Sequence, residues 1–225
     1  TVKHFKCGFD FKFKHPTAEK WVTSPRFIIP TGNGHFVARD VTDQSLIKVA
    51  KAGSVELFNT SVLFTATAKD NVYVTEGEID AMSFFEVGFL AIALGGTSQK
   101  DMLIEFLEKH QKDIHCNLIF ALDNDKYGKD CQQYILNELY DRNVKESLRG
   151  AADVTKLYCG YKDANDALTN SKDEFVENIK ENDPLNDYLK ADSVASALLD
   201  FVSDKIGTVN IPTGFNAFDK ALDGG

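Results

Sequence analysis

Three pairs of acids carry the chemistry this sequence offers: Glu76 with Asp80, Asp123 with Asp125, and Asp163 with Asp166. Asp123 and Asp125 flank one residue, so on extended backbone both side chains point the same way. If a helix begins near Gly77, Asp80 falls in its first turn, close enough to share a cation with Glu76. Carboxylates gathered at one place repel one another unless a cation or a proton intervenes. An oxygen-rich, histidine-free set suits Mg²⁺ or Mn²⁺. Two such ions would activate an attacking oxygen and steady a leaving group, as phosphoryl or nucleotidyl transfer requires. Each pair alone has a plainer reading. Acids favour helix N-termini, aspartates crowd turns, and Lys162-Asp163-Ala164-Asn165-Asp166 can simply cap a helix. Their recurrence at successive strand ends is what points to a metal.

The elements that must position these acids follow from the apolar pattern. Val72 to Thr75 reads as a strand that delivers Glu76 and turns through Gly77 into a helix bearing Ile79, Met82, Phe84 and Phe85. Leu90 to Leu94 is a continuous apolar run, the pattern of a strand buried on both faces. It ends in Gly95-Gly96-Thr97-Ser98, read as a turn with free backbone N–H groups. Asp101 to His110 has helical spacing. Leu118 to Leu122 reads as a third strand running into Asp123-Asn124-Asp125, and Gly128 opens a helix to about Tyr140. A fourth strand is predicted near Val154 to Tyr158. This alternation predicts an α/β fold, a parallel sheet with helices on both faces, over residues 70–183. Neighbouring parallel strands would bring the acids to one carboxyl edge.

Residues 1–69 read differently, as a small α+β subdomain. Phe5, Cys7, Phe9, Phe11 and Phe13 alternate with mostly polar residues, the period of a half-buried strand. Lys6, Lys12 and Lys14 stand on the other face, either solvated or in contact with phosphates. Runs at Arg26–Pro30 and His35–Arg39 flank Thr31-Gly32-Asn33-Gly34 and predict a hairpin. From Pro184 the spacing of Leu185, Leu189, Val194, Leu198, Leu199, Val202 and Ile206 fits one or two amphipathic helices, so 184–225 reads as a helical linker.

Composition bounds these readings. The chain has 225 residues, 43% hydrophobic, ample for a core, and a net charge of −9, which argues against a general nucleic-acid coat. Residues 1–60 hold nine Lys and Arg against five Asp and Glu; the rest holds sixteen against twenty-nine. The first part is the basic one. Cys7, Cys116, Cys131 and Cys159 show no zinc-ligand spacing and read as reduced thiols of a cytoplasmic protein. No apolar run is long enough to span a membrane. The chain, from Thr1 to Gly224-Gly225, reads as a piece of a longer protein.

Four segments in order resemble the motifs of the Toprim domain: Glu76-Gly77-Glu78-Ile79-Asp80-Ala81, Ala93-Leu94-Gly95-Gly96, Leu122-Asp123-Asn124-Asp125 with Gly128, and Lys162-Asp163-Ala164-Asn165. That domain is shared by bacterial primases, phage primase-helicases, topoisomerases and some nucleases, and the primase-helicase group is the most similar. Pro30, Gly32 to Gly34, Arg39 and Phe58-Asn59 are similar to the N-terminal subdomain of primase cores. Ile211-Pro212-Thr213-Gly214-Phe215 with Leu222 resembles the start of a RecA-like replicative helicase domain.

The resemblance implies a primase core that makes RNA primers from NTPs on single-stranded DNA with Mg²⁺ (or Mn²⁺), joined to a helicase domain of the same longer chain. It implies that Glu76 is a metal ligand or general base and that Asp123 and Asp125 hold Mg²⁺. Asp80 and Asp163 would support a second ion, and Glu78 would point away from the cation. Arg26, Arg39, Lys48 and Lys51 are the candidates for holding template or nucleotide phosphates. Bacterial primases carry Asp-Pro-Asp where this chain has Asp163-Ala164-Asn165, so Asp166 is the alternative third-motif ligand. Neither a zinc-binding module nor a Walker A loop is found, so the piece is not expected to hydrolyse ATP by itself. The alternatives are a Toprim nuclease and a non-catalytic Toprim module that binds DNA and tethers a helicase.

Overall fold

The computed structural model describes residues 1–14, 23–32, 34–42, 47–54 and 56–181. They fall within one compact unit. The linker and helicase expectations for 184–225, and Asn33 of the hairpin turn, lie outside the described residues.

The first sheet is antiparallel, in the order β1 (Gly8–Lys14), β2 (Thr23–Gly32), β3 (His35–Asp40) and β4 (Val49–Ala52). The expected hairpin is the β2–β3 pair, with Ile28 opposite Ala38 and Ile29 opposite Val37. The first strand is shorter than the alternation suggested, because Val2 to Lys6 form turns and Lys6 takes a positive φ of 53°. Regular structure in the rest of the described 1–69 is one 3-10 turn, Thr60–Phe64.

The second sheet is parallel, in the order β6-β5-β7-β8, built from β5 (Asn71–Thr75), β6 (Leu90–Ala93), β7 (Asn117–Phe120) and β8 (Gly150–Ala151). Helix α1 (Glu78–Glu86) follows β5, α2 (Lys100–His110) follows β6, and α3 (Lys126–Asp141) follows β7. Then come α4 (Val154–Leu157), α5 (Ala164–Asn170) and α6 (Lys172–Glu181). Successive strand residues point to opposite faces. Val72 and Val74 accordingly enter a core with Leu103, Leu107, Ile135 and Leu139 of α2 and α3. Tyr73, between them, enters a second core with Phe84, Leu157 and Phe175. It stacks on Phe84 with ring centroids 4.5 Å apart. Ile29, Val37 and Phe58 join this second core, so the antiparallel sheet packs on the same face as α1. An isolated antiparallel bridge pairs Phe58 with Ala93 of β6. Among the described residues no helix is long and apolar enough to cross a membrane.

The predicted fourth strand is corrected. Val154 to Leu157 is helix α4, and the fourth strand lies just upstream, only two residues long. Val154 and Thr155 are β-branched and suggested a strand, but Asp153 overrides them. Its carboxylate accepts from the N–H groups of Thr155 and Lys156 and starts a helix. Gly150 permits the strand that does form: a Cβ there would lie 2.6 Å from the carbonyl oxygen of Leu118.

Gly128 fixes how α3 meets the acid-bearing loop. A Cβ at Gly128 would lie 2.2 Å from the carbonyl oxygen of Asp123 and 2.8 Å from its nitrogen, both main-chain atoms that cannot rotate away. Gly128→Ala is therefore expected to destabilise the protein by about 1–3 kcal/mol, measured by chemical denaturation, and to displace Asp123 rather than the distal end of α3.

Candidate active site

Glu76, Asp123 and Asp125 owe their places to strand ends, Asp80 to the first turn of α1, and Asp163, expected at a strand end, instead stands between α4 and α5. Glu76 lies one residue past β5, and its carbonyl oxygen accepts from the N–H groups of both Gly95 (3.0 Å) and Gly96 (3.1 Å). Gly95 and Gly96 take φ of 78° and 123°, which favour glycine. The two N–H groups expected to be free are thus committed to the main chain of Glu76. Thr75, fully buried, donates its hydroxyl toward the carbonyls of Gly77 and Ile92, each at 3.1 Å. Asp80 sits in the first turn of α1, buried, and accepts from the N–H of Asn165 at 3.2 Å.

Asp123 and Asp125 follow β7. Asp125 caps α3, accepting from the N–H of Gly128 at 2.9 Å. Asp163 caps α5, accepting from the N–H of Asp166 at 2.8 Å. The capping reading is therefore true of both, and both still belong to the charge cluster. Asp123 and Asp163 act on Glu76 and Asp80, and Asp125 acts on Glu76. Asp166 is exposed and does not figure among those influences, so Asp163 is the member of its pair that lies with the cluster. Glu78 is buried beside Gly95, and with Lys51 and Glu56 it lines a small cavity.

Two further residues organise the edge. The Lys162 ammonium lies 2.9 Å from Asp123 Oδ2 and 3.8 Å from Asp125 Oδ2. Asn124 donates its N–H to the carbonyl of Lys162 (2.6 Å) and its amide to that of Tyr161 (3.0 Å), and accepts from the Thr155 hydroxyl (2.9 Å). The sequence reading assigned neither residue a role. Their signal was position: Asn124 between two aspartates, and Lys162 immediately before Asp163.

Burial raises the carboxyl of Glu76 to about 7, aided by the charges of Asp123, Asp125 and Asp163 and opposed by Lys162. Burial also raises Asp80 to about 7, with Asp163 and Asp123 adding to it and the N–H of Asn165 and the charge of Arg39 opposing it. Asp123 is raised as well, chiefly by burial, against the pull of Lys162. An edge on which carboxylates hold protons this firmly is one short of positive charge.

Among the described residues, no three such side chains are drawn together tightly enough to make a preset metal cage. The donor chemistry nonetheless fits a hard cation. The ligands are carboxylate oxygens, and Asp123 and Asp125 already share one positive charge, that of Lys162. Glu76, Asp123 and Asp125 would hold Mg²⁺ or Mn²⁺, with Asp80 and Asp163 behind them.

The basic candidates separate. Arg39 sits in β3 on the side of the acids, where its charge acts on Asp80. Lys51 of β4 donates its ammonium to the carbonyl of Gly95, beside the acid edge. Lys48 is exposed just before β4. Arg26 is corrected: only 1% exposed, it donates to the Ser24 hydroxyl at 2.8 Å and the Lys48 carbonyl at 3.0 Å. It lies over the Phe13 ring, so it braces the antiparallel sheet instead of facing a ligand.

The raised Glu76 has a measurable consequence. Its folded value of about 7 exceeds its ordinary 4.5, so the folded protein holds the proton more tightly than the unfolded chain. The associated stability is fully present below about 4.5 and is lost as pH rises through 7. In metal-free protein, Glu76→Gln is expected to raise the melting temperature at pH 8 more than at pH 5. Equal shifts at the two pH values would contradict this electrostatic account.

Residues 73–168 match the model of a family described as Toprim-like. No curated protein matches the chain in sequence. Among solved structures, the primase fragment of the bacteriophage T7 primase-helicase protein is similar in fold, with a TM-score of 0.55 at 17% identity over 79% of this chain and 69% of that one. The Aquifex aeolicus primase, comprising its zinc-binding and RNA polymerase domains, aligns with a TM-score of 0.46 at 16% identity over 74% of this chain and 42% of that one. The acid-lined parallel sheet, residue 73 through residue 168, is a Toprim-like domain.

Proposed function

We propose that this chain is the catalytic core of a Mg²⁺- or Mn²⁺-dependent primase that joins NTPs into short RNA primers on single-stranded DNA, as part of a longer protein with a helicase portion. One observation carries the reading: Asp123 and Asp163 act on both Glu76 and Asp80, Asp125 acts on Glu76 and Asp123, and Arg39 of the other sheet acts on Asp80. The Toprim-like match and the fold shared with the T7 primase fragment support it. On this reading residues 1–69 hold the template, 70–183 carry the chemistry, and 184–225 lead to the helicase.

In the reaction a 3′-hydroxyl oxygen bonds to the α-phosphorus of an incoming NTP and pyrophosphate leaves. A carboxylate whose affinity for a proton is matched to neutral pH is suited to accept the hydroxyl proton, and Glu76 takes that role. Asp123 and Asp125 hold the cation, which when bound would offset charge on the phosphates. Arg39 and Lys51, on one face of the antiparallel sheet, hold the template or nucleotide phosphates. Asn124 keeps the Asp123–Asp125 loop against the Lys162 loop while these groups act.

A second reading has its own observation. The Lys162 ammonium pairs with Asp123 and lies near Asp125, a positive charge of the protein's own at the place a cation would take, as a DNA-binding module with no catalysis would need. Primer synthesis on single-stranded DNA, with labelled NTPs and Mg²⁺ or Mn²⁺, separates the two. Wild-type protein is expected to make primers, and Glu76→Gln and Asp123→Asn to lose at least about a hundredfold in rate while remaining folded by circular dichroism. DNA degradation would identify a nuclease, and DNA binding without product, unchanged in both variants, would establish the second reading.

A further inference from the structure

The acid edge already holds a cation of its own. The Lys162 ammonium lies 2.9 Å from Asp123 Oδ2 and 3.8 Å from Asp125 Oδ2. Asp125 uses its other oxygen, Oδ1, to accept from the N–H of Gly128 at the start of α3. The oxygen that faces the lysine is therefore the one left to a ligand. The pair with Asp123 is one-sided: the aspartate side chain is 11% exposed and that of the lysine 56%. The ammonium thus meets a buried carboxylate from the solvent side, the way by which any cation or phosphate must come. An ion pair with both partners in water contributes little. Here one partner is buried, and a buried carboxylate left without a counter-charge is strongly unfavourable.

The lysine is held at one end and loose at the other. Its carbonyl accepts from the N–H of Asn124 at 2.6 Å, which ties its main chain to the Asp123–Asp125 loop. Four methylenes separate that anchor from the charge, so the ammonium can swing while the backbone stays put. Lys51 differs, because its ammonium is committed to the carbonyl of Gly95 and its strand belongs to the other sheet. Two cations cannot share Asp123 Oδ2 and Asp125 Oδ2 without repelling each other. A lysine pushed off those oxygens stays tethered beside them, where nucleotide phosphates drawn to the new cation would offer it charge-assisted hydrogen bonds.

We propose that Lys162 is an exchangeable counter-ion: it holds Asp123 and Asp125 until a divalent cation replaces it there, and then turns to the phosphates of an incoming nucleotide. No covalent bond changes in the exchange, and Asp123 faces a positive charge at every stage. The first half needs only cation binding at the two aspartates; the second rests on the primase reading.

Two readouts that need no turnover test it, on the full chain at pH 8, above the value of about 7 to which Glu76 is raised. Lys162→Met keeps an unbranched side chain and removes the charge at a half-exposed position. Mn²⁺, followed by electron paramagnetic resonance, is expected to bind this variant about tenfold more tightly than wild-type protein. In wild-type protein the nitrogen NMR signal of the Lys162 ammonium, assigned by its loss in the variant, is expected to shift with Mg²⁺ and to shift again with α,β-methylene ATP. Equal or weaker Mn²⁺ binding by the variant, no Mn²⁺ binding by either protein, or a signal that Mg²⁺ leaves in place would overturn the exchange. A signal that moves with Mg²⁺ and not with the nucleotide would overturn the transfer to phosphate. Primer synthesis is scored separately. Tighter Mn²⁺ binding by the variant and a moving signal, with no primers from wild-type protein, sink the primase reading and leave the exchange at the aspartates standing. Primers from wild-type protein, with equal Mn²⁺ binding and an unmoved signal, do the reverse.

Discussion

Like charges crowded at one sheet edge are the constraint on which this structure depends. A parallel sheet brings its carboxyl ends to one side, and this chain places acids just past β5 and β7 and a further one, Asp163, at the start of α5. In water such acids would repel only weakly, but Asp80 and Asp123 are buried, and burial strengthens every charge they meet. The fold answers in three ways. Protons are held on Glu76 and Asp80 to near neutral pH. Backbone N–H groups at helix starts face Asp125 and Asp163. Lys162 brings a whole positive charge to Asp123 and Asp125. A helix N-terminus contributes a partial charge, so capping and cation binding draw on the same physics.

The rest of the molecule holds these groups still. Both faces of β5 are covered, Val72 and Val74 by one set of helices and Tyr73 by another, so the strand that delivers Glu76 has no freedom to slide. Gly95 and Gly96 clamp the carbonyl of Glu76. The antiparallel sheet is joined to this body through the Phe58–Ala93 bridge and through Lys51, whose ammonium meets the carbonyl of Gly95. Arg39 is thereby held by both sheets: its strand by the first, its electrostatic partner by the second.

Much of this was legible in residue order, and the failures have physical causes. The strands at β5, β6 and β7 were legible because a strand buried on both faces must be an unbroken apolar run. The acids were legible because they follow those runs. The two-residue β8 was not, because Gly150 earns its place through what it lacks, a Cβ that would strike Leu118. Helix α4 was misread because β-branched Val154 and Thr155 signal a strand locally, whereas one capping aspartate decides the matter. Arg26 was read as a candidate for holding phosphates because an arginine is usually exposed. Only tertiary contact reveals that Ser24, the Lys48 carbonyl and the Phe13 ring surround it. Lys162 and Asn124 escaped for the same reason, since their partners lie 31 residues or more away in sequence.

Asn124 has one more consequence. Its main-chain and side-chain N–H groups bind the carbonyls of Lys162 and Tyr161, so the loops after β7 and before α5 are stitched together before any ligand arrives. The conformational entropy of ordering the second loop is lost on folding rather than on binding. A cation or phosphate that engages Asp123 therefore meets Asp163 already in position, and its affinity is not diminished by having to recruit it.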